Sequence, residues 1–164
     1  VGMLREQLSQ SEQAGHAAAE AIMTTDTVSK QAAASFDIDG ITVTVGGMSK
    51  GSGMIHPDMA TMLCVITTDA VISKGLLQKA LSEVVRNSFN MISVDRDTST
   101  NDTALLLANG AAGNKEICEG TPEYDSFVKA LKHVAVTLAR MMASDGEGAT
   151  KLLEVTVVNA AGER

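Results

Sequence analysis

The chain has 164 residues, a length suited to one domain, and its 45% hydrophobic and 20% charged residues exclude a disordered polypeptide. Twenty acidic against 13 basic residues leave a net charge of −7, which argues against a phosphate-binding surface and hence a nucleic-acid partner. Aromatics at 2% with no Trp leave little for base or sugar stacking.

Val1–Met23 reads as a helix, from strong formers such as Ala17, Ala18, Ala19 and Ala21, and the Thr24–Thr27 run ends it. Lys30–Asp37 and Ile41–Val45 read as a hairpin about Asp39-Gly40, the second strand alternating Ile41, Val43 and Val45 with Thr42 and Thr44. Gly46–Ala60, with four glycines and Pro57, is expected to be an irregular loop. Thr61–Thr68 fits a buried strand. Ser73 caps a helix whose stripe is Leu76, Leu77, Ala80, Leu81, Val84, Val85 and Phe89. Ile92–Val94 is a short strand candidate, and Asp95–Asp102 a polar turn-rich segment. Thr103–Ala108 is a strand or the first turns of a helix, and Gly110–Thr121 a loop. Pro122 opens a helix to about Ala143, Gly146 and Gly148 break it, and Lys151–Asn159 alternates as a final strand. The interleaving is α+β, with no clean βαβ series, internal repeat or interdomain linker.

Uncharged stretches fall short of the ~20 residues of a membrane span, and no basic-then-apolar leader opens the chain. Cys64 and Cys118 follow no pairing pattern, which suits a reducing compartment, so a cytoplasmic protein without membrane partners is expected.

Familiar ligand motifs fail. A P-loop needs Gly-Lys before Ser or Thr, whereas the order is Lys50-Gly51, and Gly51-Ser52-Gly53 lacks the third glycine of a dinucleotide fingerprint. Asp95, Asp97 and Ser99 begin like a calcium loop but have Thr100 at the glycine place and Leu106 at the glutamate place. His16, His56 and His133 are scattered, so no metal is expected. What remains is Lys50–Thr61, a Gly-rich loop meeting a strand at an Ala60-Thr61 step. On the residues alone Thr61 reads as a strand's opening residue. A second reading makes it a nucleophile: cleavage before Thr61 would free an α-amine of pKa about 7.7–8.0 to act as base toward its hydroxyl.

Four blocks carry a resemblance: Ala18–Thr27, Lys50–Leu63, Asp97–Asp102 and Ala143–Lys151. Together they resemble the ornithine acetyltransferase family of arginine biosynthesis, in the right order over nearly the whole chain. The resemblance implies an α+β fold with a mixed sheet layered with helices, an αββα-like sandwich incomplete in this chain. It implies self-cleavage between Ala60 and Thr61 and catalysis by Thr61, which takes an acetyl group from N-acetylornithine and passes it to glutamate. It makes Thr24, Lys50, Thr61 and Glu147 substrate contacts, with no metal or bound cofactor and with acetyl-coenzyme A as an additional donor in some members. The partners it implies are the remaining segments of the same precursor and further cleaved protomers in a homo-oligomer. The chain, residues 1–164, is expected to be a single domain or a fragment, beginning after the family's oxyanion Thr-Gly pair and ending before its Asn-Trp-Gly-Arg segment. Arg96 stands where the family commonly has Gly. Two other readings stand beside this one: a structural fragment without catalysis, and an N-terminal-Thr amidohydrolase that passes the acyl group to water.

Overall fold

The computed structural model describes residues 11–56, 62–97 and 99–159. Asp39 (φ +51°) and Gly40 (φ +83°) both take left-handed backbone, the requirement of a two-residue turn that matches strand twist. The Gly40 N–H donates to Asp37 Oδ1 at 2.8 Å. This turn sets β1 (Lys30–Ile38) antiparallel to β2 (Ile41–Lys50), with Ile38 opposite Ile41. β3 (Leu63–Thr68) continues antiparallel, β4 (Thr103–Ala108) pairs parallel to β3, and the sheet order is β1-β2-β3-β4.

Of the expected first helix, the described part is α1 (Glu12–Ala21), whose cap is Ser11. The helix after Ser73 is α2 (Lys74–Arg86), and the long one is α3 (Pro122–Ser144), with Pro122 in its first turn and the Thr121 hydroxyl accepting from the Tyr124 N–H. α3 lies across β1 and β2 and also meets α2. Its buried stripe of Phe127, Leu131, Val134 and Leu138 faces Val43, Val45 and Ile66 of the sheet to form the core. The other sheet face is more open, with Leu63, Leu105 and Leu107 exposed, and α1 reaches that side through a 2.8 Å contact between His16 Nδ1 and Gln31 Nε2. The fold is therefore a mixed-sheet α+β arrangement; of the αββα sandwich, the described residues form one sheet and its helices.

Four expectations need correction. Gly46–Ala60 is not loop from its start: β2 runs on through Gly46 and Gly47 to Lys50, because partners on both sides (Ala33 and Ala32, Thr67 and Ile66) take up their backbone groups. A Cβ at Gly47 would come within 3.1 Å of Ile66, 3.2 Å of Leu138 and 3.2 Å of Val134, so the glycine admits α3 onto the sheet. Ile92–Val94 is not a strand. It follows a 3₁₀ turn at Phe89–Met91, and the Val94 N–H instead donates to the Ile55 carbonyl at 2.7 Å. Lys151–Asn159 is also not a strand. Alternation alone supplies no partner, and among the described residues none pairs with it, so Leu153, Val155 and Val157 stay exposed. Finally, β3–α2–β4 is a βαβ unit, hidden because Thr103–Ala108 is too short to declare its period.

Arg96, where the resembled family commonly has Gly, sits at φ +70°. The turn keeps the shape that glycine favours, at a local cost of about 1 kcal/mol. Cys64 is buried, and burial pushes its thiol up to about 12, so it is a neutral packing group.

One ion cluster lies inside this frame. Lys30 has no exposed surface, and its Nζ donates to Asp26 Oδ1 and to Asp145 Oδ2, both at 2.6 Å, and to the Val28 carbonyl at 3.2 Å. Burial raises both carboxyls, but hydrogen bonds outweigh it: Gly51, Lys30 and Thr24 hold Asp26 below its ordinary 3.8, and Lys30 and Thr27 do the same for Asp145.

Two predictions follow from packing and charge. Leu138→Ala should lower stability by about 2–5 kcal/mol and Gly47→Ala by about 1–3 kcal/mol, read from denaturant midpoints, because three buried side chains cannot all yield to the new methyl. A Gly47→Ala midpoint equal to the parent's would show that the helix is not seated on that glycine. Because the native state holds Asp26 and Asp145 below the unfolded value, their contribution is whole above about pH 4 and is lost as pH falls through the native values. Asp102, which burial raises, acts in the opposite sense. The melting temperature should fall below about pH 4, and Asp26→Asn should flatten that fall.

Candidate functional site

Lys50 closes β2 opposite Leu63, and Leu63 stands opposite Thr103, so the ends of three strands meet here. Met62 precedes β3 and Asp102 precedes β4 at the same end, and the Met62 N–H donates to Asp102 Oδ1 at 2.7 Å. The second oxygen of Asp102 is buried with no hydrogen-bond partner among the described residues. Burial raises this carboxyl above its ordinary range, opposed by the Met62 N–H and by the charge of Lys50. The expected cleavage step, Ala60 and Thr61, lies outside the described residues, immediately before Met62.

From Lys50 the chain turns into Gly51-Ser52-Gly53, and two distant segments close on it. The Thr24–Thr27 turn reaches it through Asp26, whose Oδ1 accepts from the Gly51 N–H at 2.7 Å, and through Thr25 Oγ1, which lies 2.6 Å from the buried Ser52 Oγ. Thr24 is exposed, and its N–H donates to Asp26 Oδ2 at 3.2 Å. The turn after α3 reaches it through Glu147, whose N–H donates to the Ser52 carbonyl at 2.6 Å. The Glu147 carboxylate rests over Gly53: a Cβ there would lie 2.5 Å from Glu147 Oε2. Gly148 at φ +73° turns the chain away again.

Thr24, Lys50 and Glu147, far apart in sequence, are thus held on segments that touch one another. Asp95 braces the far side of the loop, its carboxylate accepting from the N–H groups of Met54 and Ile55. Burial raises Asp95, but the N–H groups of Asp97, Met54 and Ile55 outweigh it and leave the carboxyl lowered. Chemically, the arrangement offers a cation at the sheet end and an exposed anion over the loop that follows it. Among the described residues no three His, Cys, Asp or Glu side chains gather to hold a metal ion, and no helix is long and apolar enough to cross a membrane.

Sequence reasoning gave no place in the site to Asp26, Lys30, Asp102 or Asp145, and met Ser52 and Gly53 only in a rejected dinucleotide motif. The i, i+4 spacing of Asp26 and Lys30 carried a faint signal, but it falls outside a helix, and nothing local ties either residue to Asp145.

The ArgJ family profile matches residues 2–164. The chain is 56% identical over 156 residues to the arginine biosynthesis bifunctional protein ArgJ of Caldanaerobacter subterraneus subsp. tengcongensis, covering 95% of this chain and 39% of that protein. With the protein of the same name from Symbiobacterium thermophilum it shares 59% over 151 residues, covering 92% and 38%. A crystal structure of the arginine biosynthesis bifunctional protein argJ from Bacillus halodurans superposes with a TM-score of 0.52 at 47% identity, over 53% of this chain and 41% of that one. The chain spans under two-fifths of the length of these two curated relatives. On a match that runs from residue 2 to residue 164, with relatives more than half identical, the chain belongs to the ArgJ family.

Proposed function

We propose that the protein to which this chain contributes cuts its backbone between Ala60 and Thr61, and that Thr61 then carries an acetyl group from N-acetylornithine to glutamate. The observation that supports this most is the meeting of the Thr24, Lys50 and Glu147 segments around Ser52 and Gly53. In this reading the α-amine of Thr61 takes the proton of its own hydroxyl, and Oγ attacks the acetyl carbonyl. Ornithine leaves with that proton on its nitrogen. In the second half-reaction the neutral amine of glutamate attacks the acetyl ester and gives up a proton to the Thr61 α-amine, the acyl–Oγ bond breaks, and the proton passes on to Oγ. Lys50 receives the α-carboxylate that both amino acids carry, and Glu147 receives the cationic side-chain amine of N-acetylornithine.

The α-carboxylate common to both amino acids lets Lys50 serve both half-reactions in this reading. Neither half-reaction needs a metal or a resident cofactor; acetyl-coenzyme A is a second acetyl donor in this reading. The working unit includes the remaining segments of the precursor and further cleaved protomers, in the cytoplasm.

In the full-length protein, Thr61→Ala should leave one uncut mass and no acetyl transfer, and Thr61→Ser should retain part of the processing. Acetate released without N-acetylglutamate would identify a hydrolase instead. Lys50→Met should be processed normally with a raised KM for N-acetylornithine. Gly53→Ala is the structural counterpart. Its methyl meets the end of a flexible side chain, so the fold should survive with an unchanged melting curve, while the Glu147 carboxylate is pushed aside. Both Gly53→Ala and Glu147→Gln should lower kcat/KM, up to the ~10- to 150-fold worth of a charge-assisted hydrogen bond. A Gly53→Ala enzyme with kcat/KM equal to the parent's would detach Glu147 from substrate recognition.

A further inference from the structure

We propose that Asp26 is a positioning residue for substrate binding: clamped by the buried Lys30, it fixes the loops of Thr24 and Lys50 against each other, and Lys30 extends the clamp through Asp145 to the Glu147 turn. The proposal rests on reading Thr24, Lys50 and Glu147 as substrate contacts.

Every partner of Asp26 is a donor, and two of them belong to the site. Oδ2 accepts from the Thr24 N–H at 3.2 Å, and Oδ1 accepts from the N–H of Gly51, the residue after Lys50, at 2.7 Å. Lys30 Nζ locks Oδ1 from behind at 2.6 Å. The same ammonium holds Asp145 Oδ2 at 2.6 Å, and Asp145, the C-cap of α3, precedes Glu147 by two residues. Asp145 is tied back to the first loop by the Thr27 N–H at 3.0 Å and by the Thr27 hydroxyl. One ammonium against two carboxylates leaves a net negative charge, which the N–H groups of Thr24, Gly51 and Thr27 offset. Buried ion clusters seldom add stability over apolar residues of the same volume, but they do impose direction, because each lone pair must meet a donor.

The two acids differ in a way that separates positioning from stability. An amide at position 26 must turn its NH₂ toward Thr24 or toward Gly51 and Lys30, and either choice breaks a bond to a site loop. An amide at position 145 can face its NH₂ to the Thr27 hydroxyl, which accepts as readily as it donates, so no bond is lost. Each single Asn variant leaves Lys30 balanced by one carboxylate.

The test uses the full-length protein, with steady-state kinetics for N-acetylornithine well below the melting temperature. Asp26→Asn should raise KM about tenfold, the worth of one charged hydrogen bond, with kcat within threefold and processing complete. Asp145→Asn should keep KM within threefold of the parent. If Asp26→Asn does not accumulate folded, Asp26→Asn/Lys30→Met removes the buried ammonium as well and is held to the same KM criterion. An Asp26→Asn KM within twofold of the parent, or an Asp145→Asn KM raised as far, would overturn the positioning role while parental acetyl transfer leaves the functional reading standing. A parent protein that transfers no acetyl group would overturn that reading and this proposal with it.

Discussion

A lysine ammonium with no exposed surface cannot stay charged without anions beside it, and that requirement organises one end of this molecule. Lys30 opens β1 on the face that α3 covers, and its two carboxylates come from the turn before β1 and from the cap that ends α3. Lys30 and Asp145, 115 residues apart, must therefore arrive within hydrogen-bond distance. Hydrophobic burial seats α3 on the sheet, but it is tolerant of small slides along the helix axis. The ion cluster supplies the direction that packing lacks.

The Gly-rich stretch shows the same division between space and direction. Gly47 belongs to a central strand, where the missing side chain lets Val134 and Leu138 approach the sheet. Six residues later Gly53 leaves the same kind of space, filled by a carboxylate instead of a methyl group. The first position serves the core and the second serves the site, and the strand end at Lys50 lies between them. The loop is thereby rooted in a central strand of the sheet, which suits a surface that must present charges in fixed places.

Asp102 marks where the sheet meets the expected cleavage step. Its carboxyl holds the first described residue after that step while its other oxygen is kept from water. An acid so placed is held toward its neutral form by burial and toward its charged form by Lys50 and the Met62 N–H. Arg96, nearby on the same connection, accepts a left-handed backbone that most residues avoid, and the Asp95 carboxylate anchors the Gly-rich loop just before it.

Sequence by itself determined the local features of this protein. The Asp39-Gly40 turn, the Ser73 and Thr121 caps, Pro122 in the first turn of α3 and the stripes of α2 and α3 follow from short-range sterics and period, which are written in neighbouring letters. Four quoted blocks also carried the family and, through it, the expectation that Thr24, Lys50 and Glu147 contact substrate. Tertiary structure alone decided the rest. Gly46 and Gly47 became strand because neighbours on both sides took their backbone bonds, and Lys151–Asn159 remained unpaired because none of the described strands did. Asp26 and Lys30 meet Asp145 only when folding closes a gap of more than a hundred residues, since a hydrogen bond depends on distance in space and leaves no period in the chain.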